Sequence, residues 1–156
     1  MDAGCAGRHI QNAANVCWLE SAVGMPKLEL LDDGWCFACG KNNPKGLHLE
    51  FTEKDGVYTT KFTPGKEHQG YVGITHGGII ATLMDEVMAR FAWVAGRRVV
   101  TAEMSIKLKL PAKTGEEITV VGKITKEDRK TVSCEAEARN PEGQIVAQAS
   151  ARMVKI

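Results

Sequence analysis

The stretch that decides the fold is 76-HGGIIATLMDEVMARFAWVA-95. Read at 3.6 residues per turn, Ile79, Ile80, Leu83, Met84, Val87, Met88, Phe91, Trp93 and Val94 point in nearly every direction. A helix apolar all round belongs in an interior. A sheet can bury such a helix only by curling around it, with a second sheet or a partner helix covering what remains. The polar exceptions are Thr82, Asp85, Glu86 and Arg90. Glu86 and Arg90 stand i, i+4 with the acid first, the orientation that favours an ion pair. Asp85 has alanines at both equivalent positions, Ala81 and Ala89. An unpaired carboxylate in an apolar helix is costly unless something satisfies it. One reading is a hydrogen bond to Thr82 or to a strand; the other is a carboxylate that faces a reaction site. The second makes Asp85 the main catalytic candidate.

His76-Gly77-Gly78 opens the helix. The first turn presents backbone N–H groups without internal partners, at the positive end of the helix dipole. Glycine there lets a ligand approach the backbone, because no Cβ stands in the way. Such a turn can receive a carbonyl oxygen as it becomes an oxyanion, although a plain tight turn also explains two glycines. Eight residues of helix rise about 12 Å, too far for one bound group to touch both Gly77 and Asp85 of one chain. If both act on one carbonyl, two helices lie side by side and antiparallel, and the protein is a dimer.

Strands surround this helix. Segments 46–53 (GLHLEFTE) and 57–64 (VYTTKFTP) flank Lys54-Asp55-Gly56, where Asp-Gly signals a hairpin. In 99–111 (VVTAEMSIKLKLP), Val100, Ala102, Met104, Ile106, Leu108 and Leu110 alternate with Thr101, Glu103, Ser105, Lys107 and Lys109. That period of two marks a long strand with one buried face. Segments 118–127 and 130–140 are joined by an Asp128-Arg129 turn, and Asn140-Pro141-Glu142-Gly143 leads into a last alternating segment, 144–156. Strands joined by short turns form an antiparallel sheet, so the class is α+β. Residues 1–24 show no clean periodicity and read as an appendage; 25–156 read as a single domain.

Composition sets the outer bounds. A chain of 156 residues is long enough to bury a core without staples. Twenty basic and nineteen acidic residues give a net charge of +1, so nothing selects for nucleic acid or an anionic membrane. No run of apolar residues is long enough to span a bilayer. The N-terminal segment lacks the pattern of a secretory signal, and the five cysteines, at 5, 17, 36, 39 and 134, read as reduced thiols in a cytoplasm.

HGGIIATLMDE, preceded by QGYVGIT and followed by VVTAEMSIKLKLPAKTGEEI, resembles the hotdog-fold acyl-CoA thioesterases of the phenylacetate-pathway and thioesterase-superfamily-member type. The likeness runs over about 35–155, takes in CFACGKNNPKGLHLEF, and is most specific in the nine-residue spacing from His76 to Asp85. It implies a long central helix wrapped by a curved antiparallel sheet, with active sites between the subunits of a homodimer or a dimer-of-dimers tetramer. It also implies that the Gly77 N–H polarises a thioester carbonyl and that Asp85 is the general base or nucleophile. Thr101, where relatives carry Ser or Thr, would help hold the water, and His76 would support the loop and contact the substrate, completing the catalytic set. Gly78 would line the substrate site. Several relatives carry Asn six residues before the motif histidine; here that position is Gly70, and Gln69 or His68 would take its place.

The chemistry agrees. A thioester carbonyl has poor resonance stabilisation and needs little beyond an activated water and an oxyanion site. A carboxylate in apolar surroundings is a better base than in bulk water. No G-x-S-x-G elbow is present, which argues against a serine-triad esterase. Coenzyme A enters only as part of the substrate, and no further cofactor is expected. Its phosphates call for cations, and Arg97, Arg98, Arg129 and Lys130 lie near turns. Asn43, in Asn42-Asn43-Pro44, could face a ligand, though the turn alone explains it.

Cys36-Phe37-Ala38-Cys39 has metal-knuckle spacing, with His48 following. A structural zinc site normally draws four ligands from two such pairs, and no second C-x-x-C exists. The expectation is therefore no metal, and small buried cysteines in a turn that caps the substrate channel. Two functions remain: an acyl-CoA thioesterase built on Asp85 and Gly77, or a non-catalytic acyl-ligand or interaction module with the same fold. A hotdog-fold hydratase would need a His–carboxylate pair in an arrangement not found here.

Overall fold

The computed structural model describes residues 29–156; the expected appendage 1–24, with Cys5 and Cys17, lies outside the described residues. The elements in order are β1 (Phe51–Lys54), β2 (Val57–Phe62), a single 3-10 turn (Lys66–His68), β3 (Gln69–Tyr71), β4 (Ile74–Thr75), α1 (Gly77–Val94), β5 (Val99–Leu108), β6 (Ile118–Glu127), β7 (Thr131–Arg139) and β8 (Ile145–Lys155). Six strands make one sheet in the order β1-β2-β6-β7-β8-β5, with every neighbouring pair antiparallel. The chain is α+β, with one long helix packed against an antiparallel sheet. Among the described residues no helix is long and apolar enough to cross a membrane.

Local chemistry accounts for the joints. Asp55 and Gly56 both have positive φ, 53° and 74°, as a two-residue turn between twisted strands requires. The strand expected over 46–53 begins only at Phe51. Before it, the Leu47 and Leu49 N–H groups donate to the carbonyls of Phe37 (2.8 Å) and Ala38 (2.9 Å), which folds 36–49 back on itself. Both leucines are buried. The short β3–β4 hairpin was not foreseen, because two and three residues are too few for a periodic signal.

The helix seats on a floor of small side chains. Ala136, Ala138, Ala147, Ala149 and Ala151 are buried beneath it, together with Val120, Val132 and Met153. At Gly122 of β6 a Cβ would fall 3.1 Å from Val87 Cγ1 and 3.3 Å from the Val87 carbonyl oxygen, so glycine lets helix and sheet meet. Toward the other end of α1, Phe91 stacks on Tyr58 (5.3 Å between ring centres), and Tyr58 on Phe51 (5.0 Å).

Two expectations about α1 change. The helix is not buried all round: Ile80, Leu83, Met84, Val87, Met88, Phe91 and Ala92 are buried, whereas Ala81, Thr82, Asp85, Glu86, Ala89 and Arg90 are only half-buried. One face meets the sheet and the other is open in the single chain. The Glu86–Arg90 pair also does not form. Arg90 Nη1 turns instead to Asp32 Oδ2, at 3.2 Å, on the segment that crosses the helix.

Candidate active site

The helix start is organised by His76, which is extended (φ −61°, ψ 134°) and whose Nδ1 accepts the Gly78 N–H at 2.9 Å. Its carbonyl accepts from Ile79 N–H (2.9 Å) and Ile80 N–H (3.4 Å). Of the four N–H groups that a helix start leaves open, only that of Gly77 has no acceptor among the described residues. The two glycines therefore differ in purpose. A Cβ at Gly78 would fall 2.9 Å from His76 Nδ1 and push the cap away. Gly77, whose own N–H is left without an acceptor, lines a cavity of about 420 Å³.

Gly70, Ile74, Thr75, His76, Gly77, Ile80, Leu108, Leu110 and Val146 contribute to the wall of this cavity, which is mostly apolar. Its size falls in the ordinary range for small-molecule sites, about 300–1,000 Å³. Thr75 Oγ1 is buried without a hydrogen-bond partner among the described residues, so the wall carries one unsatisfied polar group beside the free N–H. Sequence reasoning missed Thr75; nothing but its place before His76 could have pointed to it. The cavity also abuts Gly70, where a Cβ would come 3.2 Å from His76 Cδ2. A larger hollow of about 470 Å³ lies on the sheet between Lys107, Lys123, Glu135 and Gln148 and holds none of the candidate groups.

Asp85 lies farther along the helix and does not line the cavity. Its Oδ1 accepts a hydrogen bond from Thr101 Oγ1 at 2.8 Å, half-buried on β5. Thr82, the other partner considered, donates to the Gly78 carbonyl instead (2.9 Å). The Thr101 contact corrects the simple alternation, which sends Thr101 to the solvent face. The register with β8 shifts between Thr101 and Glu103: Thr101 faces Met153, Glu103 faces Arg152 and Met104 faces Ala151. Ala102 is the extra residue of a β-bulge, and a bulge re-aims the side chains before it. Thr101 thus turns inward with buried Met153.

Other candidates have different duties. His68 Nδ1 accepts the Gly65 N–H (2.9 Å), and its ring meets Phe62 edge-on at 5.1 Å, so it caps the 3-10 turn. Gln69 Oε1 accepts from Gly73 N–H (3.4 Å) across the β3–β4 hairpin. Neither lines the cavity. Asn43 is consumed by its turn: its Nδ2 donates to the Trp35 carbonyl (3.3 Å) and its Oδ1 accepts from Lys45 N–H (3.0 Å). Arg97 pairs with Glu127 at 2.7 Å. Arg98, Arg129 and Lys130 are exposed, beyond the helix C-terminus and in the β6–β7 turn. Cys36 is exposed and Cys39 half-buried, and neither lines the cavity, so their turn is not a lid over it.

The single chain thus brings Asp85 to Thr101, and His76 to Gly77 and Gly78, as two half-sites separated by about 12 Å of helix. Each could serve acyl transfer: one offers a positioned carboxylate, the other an unpaired donor beside an apolar cavity.

Comparison with known proteins bears on this arrangement. Residues 72–147 match the family model described as Thioesterase superfamily. The mouse protein acyl-coenzyme A thioesterase 13 is 33% identical over 86 residues, which is 53% of this chain and 61% of that protein; the chain thus spans about three-fifths of that relative's length. Among solved structures, a hypothetical thioesterase protein from Streptococcus pneumoniae TIGR4, crystallised with coenzyme A, aligns with a TM-score of 0.66 at 25% identity, covering 69% of this chain and 85% of that one. A thioesterase superfamily protein aligns with a TM-score of 0.74 at 24% identity over 88% of this chain and 72% of that one, and shows the fold alone. The matched segment holds the helix start, Asp85, Thr101 and most of the sheet that carries them; over it the chain is similar to the thioesterase superfamily, and its fold is the hotdog fold of these neighbours.

Proposed function

We propose that the protein hydrolyses an acyl-CoA thioester to a free acid and coenzyme A at a site shared by two chains. The observation that carries this reading is Asp85: an ionisable group on a largely apolar helix, held by Thr101 on the side left half-open in the single chain. With two α1 helices antiparallel, Gly77 of one protomer stands beside Asp85 of its partner. The carbonyl oxygen of the thioester accepts the free Gly77 N–H, and Asp85 activates a water or attacks directly. Thr101 fixes the carboxylate, so that one Oδ accepts from the hydroxyl while the other faces the reaction. The acyl group or the pantetheine arm occupies the apolar cavity. The partner's helix would run on past Gly77 for about 14 Å, which carries exposed Arg98, Arg129 and Lys130 toward the mouth, where phosphates would sit. Neither step calls on a cofactor. The similarity to acyl-coenzyme A thioesterase 13 and to a structure holding coenzyme A supports the substrate class.

The test is free-thiol release from a panel of short, long and aryl acyl-CoAs. Asp85→Asn keeps the shape and removes the base, with turnover expected to fall about 10²–10⁴-fold. Gly77→Pro removes the N–H donor at the first helical position, which tolerates proline, with an expected loss of about 10²–10³-fold. Random pairing of the two variants restores one intact site in half of the dimers, so about a quarter of wild-type activity returns. A mixture as inactive as its parents would place the site within one chain. Absence of turnover on every substrate would leave a non-catalytic acyl-binding module.

A further inference from the structure

Cys36, Cys39 and Glu86 converge although helix and turn are fifty residues apart in sequence. Cys36 Sγ stands 3.8 Å from Glu86 Oε2. Both sulfurs and a carboxylate oxygen lie within 4.8 Å of one another. Around a tetrahedral zinc ion, with Zn–S of about 2.3 Å and Zn–O of about 2.0–2.2 Å, neighbouring donors are roughly 3.5–3.8 Å apart. A contraction of about one ångström at the widest pair brings the three donors onto that geometry.

The turn that carries the thiols is already built. Gly40 N–H donates to the Cys36 carbonyl at 2.8 Å. A Cβ on Gly40 would fall 2.4 Å from Cys36 N and 2.5 Å from the Gly34 oxygen, so only glycine lets the backbone close this tightly. Asn42 N–H on the Gly34 carbonyl (2.9 Å) and the Leu47 and Leu49 bonds hold the rest of the segment.

Charge makes the cluster unusual. Among the described residues Glu86 has no cationic partner, since Arg90 one turn away is engaged by Asp32. Three groups that are each anionic when deprotonated are gathered here, and the neighbouring cation Arg90 is engaged by Asp32. A bound dication resolves the repulsion.

We propose that Cys36, Cys39 and Glu86 form a binding site for a zinc-class divalent cation, held by two thiolates and one carboxylate with water in the fourth position. The thiolates select a zinc-like ion over magnesium or calcium. On binding, each thiol gives its proton to solvent, so one dication enters as two protons leave. The ion clasps the 36–40 turn onto α1 one residue after Asp85 and fixes that part of the helix. The third donor is the helix carboxylate rather than a second C-x-x-C, which is why cysteine spacing alone pointed to no metal. This site is independent of the thioester reading, and its test needs no substrate.

The experiment is to purify the full chain reduced and without oxygen, equilibrate it with zinc, dialyse it against metal-free buffer, and measure bound metal by mass spectrometry. Cobalt titration follows the thiolate-to-metal charge-transfer band. About one zinc per chain is expected, with affinity lowered more than about 100-fold in Cys36→Ser/Cys39→Ser and about 10–100-fold in Glu86→Gln. Zinc should also raise the melting temperature of the wild type more than that of Glu86→Gln. If the double serine variant fails to fold, Glu86→Gln carries the test, because it leaves the turn intact. Less than about a tenth of an equivalent of zinc, equal zinc in the variants, cobalt binding without the charge-transfer band, or recovery of Cys36–Cys39 as a disulfide in zinc buffer would each overturn the proposal.

Discussion

Thr101 Oγ1 donates to Asp85 Oδ1 at 2.8 Å because a bulge at Ala102 turns the start of β5 inward. A hydrogen bond to a charged group contributes about 1.5–3 kcal/mol. Thr101→Val preserves shape and removes the donor, so we expect kcat to fall about 10–100-fold, with Thr101→Ser restoring most of it. The readout is kcat beside the melting temperature of each variant. If Val lowers only the melting temperature and leaves kcat unchanged, the bond is structural.

His76 caps α1 with its own side chain, accepting the Gly78 N–H at 2.9 Å. Loss of an N-cap costs about 1 kcal/mol, and for a chain of this size that is about 2–4 °C in melting temperature. His76→Ala should show that loss in a thermal melt. His76→Asn, whose side-chain oxygen can accept the same N–H, should recover at least half. Equal melting temperatures for the two variants would mean that the cap adds nothing.

The parts legible in the sequence were those set by local rules. The apolar stretch of 79–94 marked the helix, Asp55-Gly56 the hairpin turn, and the Asp128-Arg129 turn between 118–127 and 130–140 the β6–β7 pair. What escaped depends on contacts far apart in the chain. Alternation placed Thr101 outside, and only pairing with β8 reveals the extra residue at Ala102. Glu86 and Arg90 fitted an i, i+4 pair, yet Asp32 and Cys36 reach them from a segment whose path over α1 no periodicity encodes. Asn43 and His68 looked available because a polar side chain in a turn carries no sign of being spent on its own backbone.

Gly122 sets how closely α1 sits on the sheet. A Cβ there would press within 3.1 Å of Val87 Cγ1 and 3.3 Å of the Val87 carbonyl oxygen, and a backbone atom cannot step aside as a side-chain tip can. Overpacking of this kind costs about 1–3 kcal/mol. Gly122→Ala should therefore lower stability by that amount in urea unfolding with an unchanged m-value, and Gly122→Val should cost more. A neutral Gly122→Ala would show that helix and sheet can separate freely at this point.

Glu127, at the end of β6, accepts from Lys155 of β8 and from Arg97 beyond α1. These bonds, with Lys155 the larger influence, hold its carboxyl below the ordinary value of 4.5. Because the folded value is depressed, the stabilisation is fully present above that ordinary value. It is lost as pH falls through the lower folded value, where the carboxyl takes up a proton and the pairing weakens. The group is solvated, so the effect is small and also screened by salt. Glu127→Gln should melt below the wild type at pH 7, and the gap should shrink as pH falls through the depressed folded value. Raising salt at pH 7 should narrow the same gap. A gap that persists unchanged in acid would assign the loss to packing of the side chain rather than to its charge, and the pairing of Arg97 with Glu127 would then carry no stability of its own.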